Sequence, residues 1–173
     1  NPFFSVGVQA DLMKSDINAL YISQSGLTMG DRDYYLDPEN ENIRTAYKEY
    51  LGKLFRLAGI PEADIEKAVA GVMNIETKLA EKSWSNTELR DIPAQYNPTA
   101  KAEFEKTYDA IDWPAYYKAM GIGDFDTIIV TTKSSIANAN DLMKNAPLED
   151  IRYYLAAQYL DLSLIHISEP TRL

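Results

Sequence analysis

The amino-acid sequence predicts a mainly α protein: a multi-helix lobe with a small N-terminal β-hairpin and one further short strand. Three observations point there. Apolar residues recur at helical spacing over most of the chain from Asp37 to Leu160, whereas strict apolar–polar alternation is confined to the segments before Ser25. A single β-branched run, Thr127 to Thr132, interrupts the later helices.

Residues Phe3 to Asp11 read as a strand, with Val6, Val8 and Ala10 alternating against Ser5, Gly7 and Gln9. Lys14 to Asn18 is turn chemistry, because Ser, Asp and Asn side chains bond nearby backbone groups. Ala19 to Gln24 returns as the second strand, closed by a turn at Ser25-Gly26. From Asp37 the pattern is helical: Asp37 can cap, Pro38 suits the first helical position, and Glu39 and Glu41 favour the positive end of the dipole. Ile43, Ala46, Tyr47, Tyr50, Leu51, Leu54 and Leu57 form the stripe, and Gly59 stops the run.

Pro61 opens the next helix, with Ile65, Val69, Val72, Met73, Leu79 and Ala80 on its apolar side. Arg90 to Asn97 reads as a loop. Asn97-Pro98 repeats the cap-then-proline start and predicts a helix to about Ala110. Asp112-Trp113-Pro114 starts a short helix that ends at Gly121. Two more helices follow, Ser135 to about Asn145 and Pro147 to Leu160, the last with Leu148, Ile151, Leu155 and Tyr159 along one face.

Composition excludes several chemistries. The chain has 173 residues, 46% hydrophobic and 25% charged, enough to bury a core and too apolar for a disordered chain. Its net charge of −9 repels a phosphate backbone, so nucleic acid is not an expected partner. There is no cysteine, which removes disulfides, thiolate metal sites and cysteine nucleophiles, and only one histidine, His166. A catalytic zinc site needs two or three imidazoles or their equivalents, so no metal-ligating or catalytic residue is assigned in this chain. No apolar run reaches the length of a membrane span. Asn1-Pro2-Phe3-Phe4 carries no initiator Met or signal peptide and reads as the interior of a longer protein.

Four constellations invite a chemical reading. The aspartates of Asp31-Arg32-Asp33 resemble the start of a calcium loop, but Leu36 stands where the loop wants Gly and Asn42 where it wants Glu, so a solvated turn is the better reading. Glu76 lies on the apolar stripe and should point inward, where a carboxylate needs a partner. Arg90, on the following loop, is the expected one, making a structural ion pair rather than a general base. The twelve tyrosines and two tryptophans could line a sugar cleft, but those at helical spacing predict core. The last stretch, residues 162–173 with His166, departs from the helical period and is read as a non-native tail.

As an ordered series the residues resemble a known family. Val6 to Asp11, Tyr21 to Leu27, Asp31-Arg32-Asp33-Tyr34-Tyr35-Leu36 and the Ile43 to Tyr50 helix come first. Glu76 with Leu79-Ala80, Arg90, Tyr96-Asn97-Pro98 and Ile111-Asp112-Trp113 complete it. Together they resemble the N-terminal helical region of the neprilysin and endothelin-converting-enzyme family of zinc metallopeptidases, above all its bacterial, cysteine-free members. The motif positions are Tyr35, Tyr96, Asn97, Asp112 and Trp113. The series departs at Thr131-Thr132-Lys133-Ser134, where a Pro-aromatic pair is expected.

The resemblance covers residues 1–161, as part of the N-terminal helical lobe. It implies a two-lobed enzyme that hydrolyses peptides, with zinc held by H-E-x-x-H and a downstream Glu in a catalytic lobe absent from this chain. This segment would wall the cavity and limit substrate size, and would be inactive alone. The implied partners are the missing C-terminal lobe and peptide substrates, and the implied location is extracytoplasmic, periplasmic or at the envelope. A rival reading is a free-standing helical binding module without catalysis. A third is a small carboxylate-based hydrolase acting without metal.

Overall fold

The computed structural model describes residues 2–167, which fall into two compact units. One comprises residues 2–25 and 82–145, the other residues 26–81 and 146–167.

The first unit is organised by a four-stranded sheet of order β1-β2-β4-β3. β1 (Phe4–Ala10) and β2 (Asn18–Gln24) form the expected antiparallel hairpin, from Phe4↔Gln24 to Ala10↔Asn18. β4 (Thr127–Val130) lies parallel to β2, pairing Leu20↔Ile128 through Ile22↔Val130. Leu20, Tyr21 and Ile22 of β2 and Ile128, Ile129 and Val130 of β4 are all buried. Central strands covered on both faces lose the alternation of a half-exposed strand, which is why the β-branched run stood out in the sequence.

β3 (Pro98–Ala100) corrects the reading of Asn97-Pro98 as a helix start. These residues pair antiparallel with β4, Pro98↔Ile129 to Ala100↔Thr127, and α4 begins only at Lys101 (Lys101–Thr107). The Asn97 carbonyl accepts from Val130 N at 3.0 Å, so the pairing proceeds around a proline that has no N–H to give. An edge strand tolerates this; a central one would not.

α5 (Trp113–Ala119) and α6 (Lys133–Asn145) follow the expected order. Trp113 is buried among Phe4, Phe104, Tyr116 and Tyr117, with ring centroids 4.7–5.9 Å apart. Its indole N–H donates to the Tyr108 carbonyl. Gly121, at φ +66°, ends α5, as the sequence predicts.

The second unit is helical. α2 (Glu41–Leu57) and α3 (Glu62–Lys82) form a hairpin through Gly59, whose φ of +81° suits glycine. α7 (Leu148–Ile167) packs on α2. Leu51, Leu54 and Phe55 of α2, Ile65, Val72, Ile75 and Leu79 of α3, and Tyr154 and Ala157 of α7 make the core.

Four expectations change here. The turn at Asp33 is a short helix, α1 (Asp33–Leu36), with Tyr35 buried. Val69 and Met73 are half-buried, because the stripe of α3 is rotated toward Ala68, Gly71 and Ile75. The apolar face of α7 is turned outward: Leu148, Leu155 and Tyr159 are exposed and Ile151 is half-buried. The seam α7 presents to its own unit carries Asp150, Tyr154, Ala157, Gln158 and Asp161 instead, several of them hydrogen-bonded to α2 or α3. Finally, α7 continues past Asp161, since Leu162 to Ile167 contains neither Gly nor Pro. The His166 side chain and residues 168–173 lie outside the described residues.

Candidate functional site

Glu76 is wholly buried, the one carboxylate on the inward side of α3. Its Oε2 accepts from the Tyr35 hydroxyl at 2.7 Å. Its Oε1 accepts from Thr28 Oγ1 at 2.7 Å, the Tyr47 hydroxyl at 3.1 Å and Gln158 Nε2 at 3.1 Å. Gln158 also donates to Thr28 Oγ1 at 2.8 Å, and Tyr35 accepts from Met29 N at 3.0 Å. The carboxylate therefore fastens the 26–32 segment, α1, α2 and α7 to α3. Two carboxylate oxygens offer about four acceptor sites, and the four donors divide unevenly, three on Oε1 and one on Oε2.

The donors are all neutral. Arg90, the expected partner, is exposed on a 3-10 turn (Glu88–Arg90) of the first unit. Compensation by charge is what the sequence suggests; the hydrogen bonds on the carboxylate come from residues 29 to 82 positions away. Periodicity gives no sign of such distant partners; the one local clue was an inward-facing carboxylate.

Burial drives the electrostatics. It pushes the Glu76 carboxyl above the usual glutamate range, against the pull of the hydrogen bonds from Thr28, Tyr35, Tyr47 and Gln158. Burial and the neighbouring Glu76 charge push Tyr35, Tyr47 and Tyr154 well above the usual tyrosine range, so all three remain hydroxyl donors. Tyr50 is pushed up to about 12, chiefly by its hydrogen bond to Asp161.

The remaining motif positions hold turns and strand ends. Tyr96 donates to both Asp11 carboxylate oxygens, at 3.0 and 3.1 Å, while Asp11 Oδ1 accepts from Met13 N and Lys14 N and closes the hairpin turn. Asn97 donates to the Ala94 carbonyl at 2.9 Å. Asp112 caps α5 through Ala115 N at 3.0 Å. Arg44 was not singled out in the sequence. It clamps α1 to α2 by donating to the Tyr34 and Asp37 carbonyls and to Glu41. Asp37 accepts from Glu39 N at 2.9 Å, so it caps a helical turn.

An open groove of about 580 Å³ runs along the α2–α3 hairpin, lined by Arg44, Lys48, Val69, Ala70, Met73 and Thr77 among others. Glu76 does not line it. Among the described residues no three His, Cys, Asp or Glu side chains converge in a way that could hold a metal ion. With one histidine and no cysteine in the chain, these residues do not fit a catalytic zinc. The geometry provides anchoring, capping and packing.

Comparison with known proteins gives the family and the fold. The sequence profile of Peptidase family M13 matches residues 1–173, and the chain belongs to the N-terminal region of that neprilysin-like family. It is 32% identical to endothelin-converting enzyme 1 of Mus musculus over 151 residues, covering 84% of this chain and 20% of that protein. It also shares the fold of the Mycobacterium tuberculosis zinc metalloprotease ZMP1 in its open state, with a TM-score of 0.81 at 23% identity over 91% of this chain and 24% of that one. For the structure of PepO from Lactobacillus rhamnosis the TM-score is 0.74 at 16% identity, over 91% of this chain and 25% of that one. The chain thus spans about a fifth to a quarter of the length of these proteins.

Proposed function

We propose that this chain is part of the lobe that walls the substrate cavity of a zinc metallopeptidase and limits the size of the peptides that enter. In that reading the catalytic lobe, with H-E-x-x-H, is supplied by a part of the protein beyond this sequence. The reading rests on one observation above the rest: the family match spans the chain, while the chain covers only a fifth of endothelin-converting enzyme 1. The zinc, when bound in the catalytic lobe, would polarise a water for attack on the peptide bond. The residues here contribute position: Glu76 and its donors hold four helices in register, and the Asp11–Tyr96 bond holds the hairpin turn.

The net charge of −9 supports a second element of the proposal, that the lobe disfavours acidic peptides at the cavity entrance. An extracytoplasmic site of action follows from the family alone. No helix among the described residues is long and apolar enough to cross a membrane.

The test compares the natural full-length protein with the 173-residue chain in a peptide-hydrolysis assay, with and without chelator. The expected result is chelator-sensitive hydrolysis by the full-length protein and none by the chain. Hydrolysis by the chain alone would overturn the proposal.

A further inference from the structure

The buried cluster around Glu76 has a chemical property that an ion pair would lack. Three of the four groups on its carboxylate are hydroxyls: Thr28 and Tyr35 at 2.7 Å and Tyr47 at 3.1 Å. A hydroxyl donates to a carboxylate and accepts from a carboxylic acid by turning its O–H, whereas a guanidinium or ammonium can only donate. The site is therefore equipped for both protonation states. With no cation in contact with Glu76 among the described residues, hydrogen bonds alone offset the cost of burying the anion, and the acid escapes most of that cost.

We propose that Glu76 is a proton-uptake site that couples the firmness of the second unit to pH. With a proton from bulk water on the carboxyl, the unit holds a neutral, hydrogen-bonded cluster. When the proton is released, a buried charge that hydrogen bonds offset only in part loosens Thr28, α1, α2 and α7 together. The groups facing the carboxyl from each packed element are Thr28, Tyr35 of α1, Tyr47 of α2, and Gln158 and Tyr154 of α7, with Asp161 of α7 acting on Tyr47. The three tyrosines stay protonated through the acid-to-neutral range, so they do not titrate in competition with Glu76.

The sign follows from linkage. A carboxyl whose folded-state pKa is raised binds its proton more tightly in the folded than in the unfolded chain. Its contribution is fully present below the ordinary glutamate range and is lost as pH rises through the folded value. Paired or hydrogen-bonded carboxylates with lowered values do the opposite, so the two cases are separable.

Chemical unfolding of the 173-residue chain from about pH 4.5 to about pH 8 tests this, comparing wild type with Glu76→Gln and using Asp161→Asn as a control for the other carboxylate nearby. The expected result is that the folded-to-unfolded ratio of wild type, relative to Glu76→Gln, falls by up to about tenfold per pH unit above the ordinary glutamate range, and that Asp161→Asn keeps this slope. A flat difference, or one rising with pH, would overturn the proposal. Should Glu76→Gln fail to fold, infrared difference spectra of the glutamate-13C-labelled wild type give the answer directly. A buried carboxylic-acid C=O band present above the ordinary glutamate range supports the proposal, and its absence overturns it.

Discussion

The Tyr35 hydroxyl sits between two anchors: it donates to Glu76 Oε2 at 2.7 Å and accepts from Met29 N at 3.0 Å. A residue on a four-residue helix thereby joins a loop to the centre of α3. Tyr35→Phe removes the hydroxyl but not the groups it served, leaving a buried carboxylate oxygen and a backbone N–H short of a partner. The expected cost is about 1–3 kcal/mol in urea unfolding. Tyr47→Phe removes one longer bond, from an oxygen that keeps Thr28 and Gln158, and should cost less. The order of the two midpoints is the check; the reverse order would show that the Met29–Tyr35–Glu76 chain carries no special weight.

Arg90 should be energetically quiet toward Glu76. It is exposed, and Glu76 is satisfied by neutral donors. Arg90→Ala is expected to change stability by less than about 0.5 kcal/mol. A double-mutant cycle with Glu76→Gln should give a coupling within error of zero, since non-contacting sites add. A coupling above about 0.5 kcal/mol would restore the ion pair expected from the sequence.

What the sequence made legible was local. The hairpin shows in the alternation of Val6, Val8 and Ala10, α2 in its apolar stripe and Gly59 stop, and β4 in its β-branched run, whereas Asp37 and Pro38 open a 3-10 turn (Pro38–Asn40) and α2 itself starts at Glu41. Each is decided by residues within one element. Pro98 failed because cap-then-proline is also acceptable at an edge strand, and only pairing with Ile129 separates the two. The face of α7 failed because its inward seam is built from Tyr154, Ala157, Gln158 and Asp161. Hydrogen-bond partners on other helices choose that face, and apolar periodicity does not report them. The candidate site was half legible for the same reason: Glu76 was found by its inward position, and its partners were not.

The hairpin turn should have an acid-side dependence opposite in sign to that of Glu76. Partial burial of Asp11 raises its carboxyl, but the Met13 and Lys14 amides and the Tyr96 hydroxyl together hold it below the usual aspartate range. A lowered value contributes stability that is present above the unfolded pKa and lost as pH falls through the folded one. NMR titration of the Asp11 carboxyl should show a midpoint below that of an ordinary aspartate, moving upward in Tyr96→Phe. An unchanged midpoint in that variant would mean that the two amides and the Lys14 charge set it without Tyr96.

Two glycines in the second unit should respond to alanine with opposite signs. In a helix interior Gly→Ala normally gains about 1 kcal/mol. At Gly52 of α2 an added Cβ would meet Arg56 Nη1 at 3.5 Å and Ile65 Cγ2 at 3.7 Å, ordinary contacts, so Gly52→Ala should raise the thermal midpoint. At Gly71 of α3 it would meet Asp150 Oδ1 at 3.1 Å and Asp150 Cα at 3.2 Å. Neither atom yields cheaply: one is backbone, and the other belongs to a carboxylate held by Asn74 Nδ2 at 2.6 Å. The α3–α7 approach must therefore open, at a cost of about 1–3 kcal/mol that exceeds the propensity gain. Gly71→Ala should lower the thermal midpoint and Gly52→Ala raise it. If both rise, α7 can shift on α3 without loss, and the close seam through Asp150 is not what fixes its position.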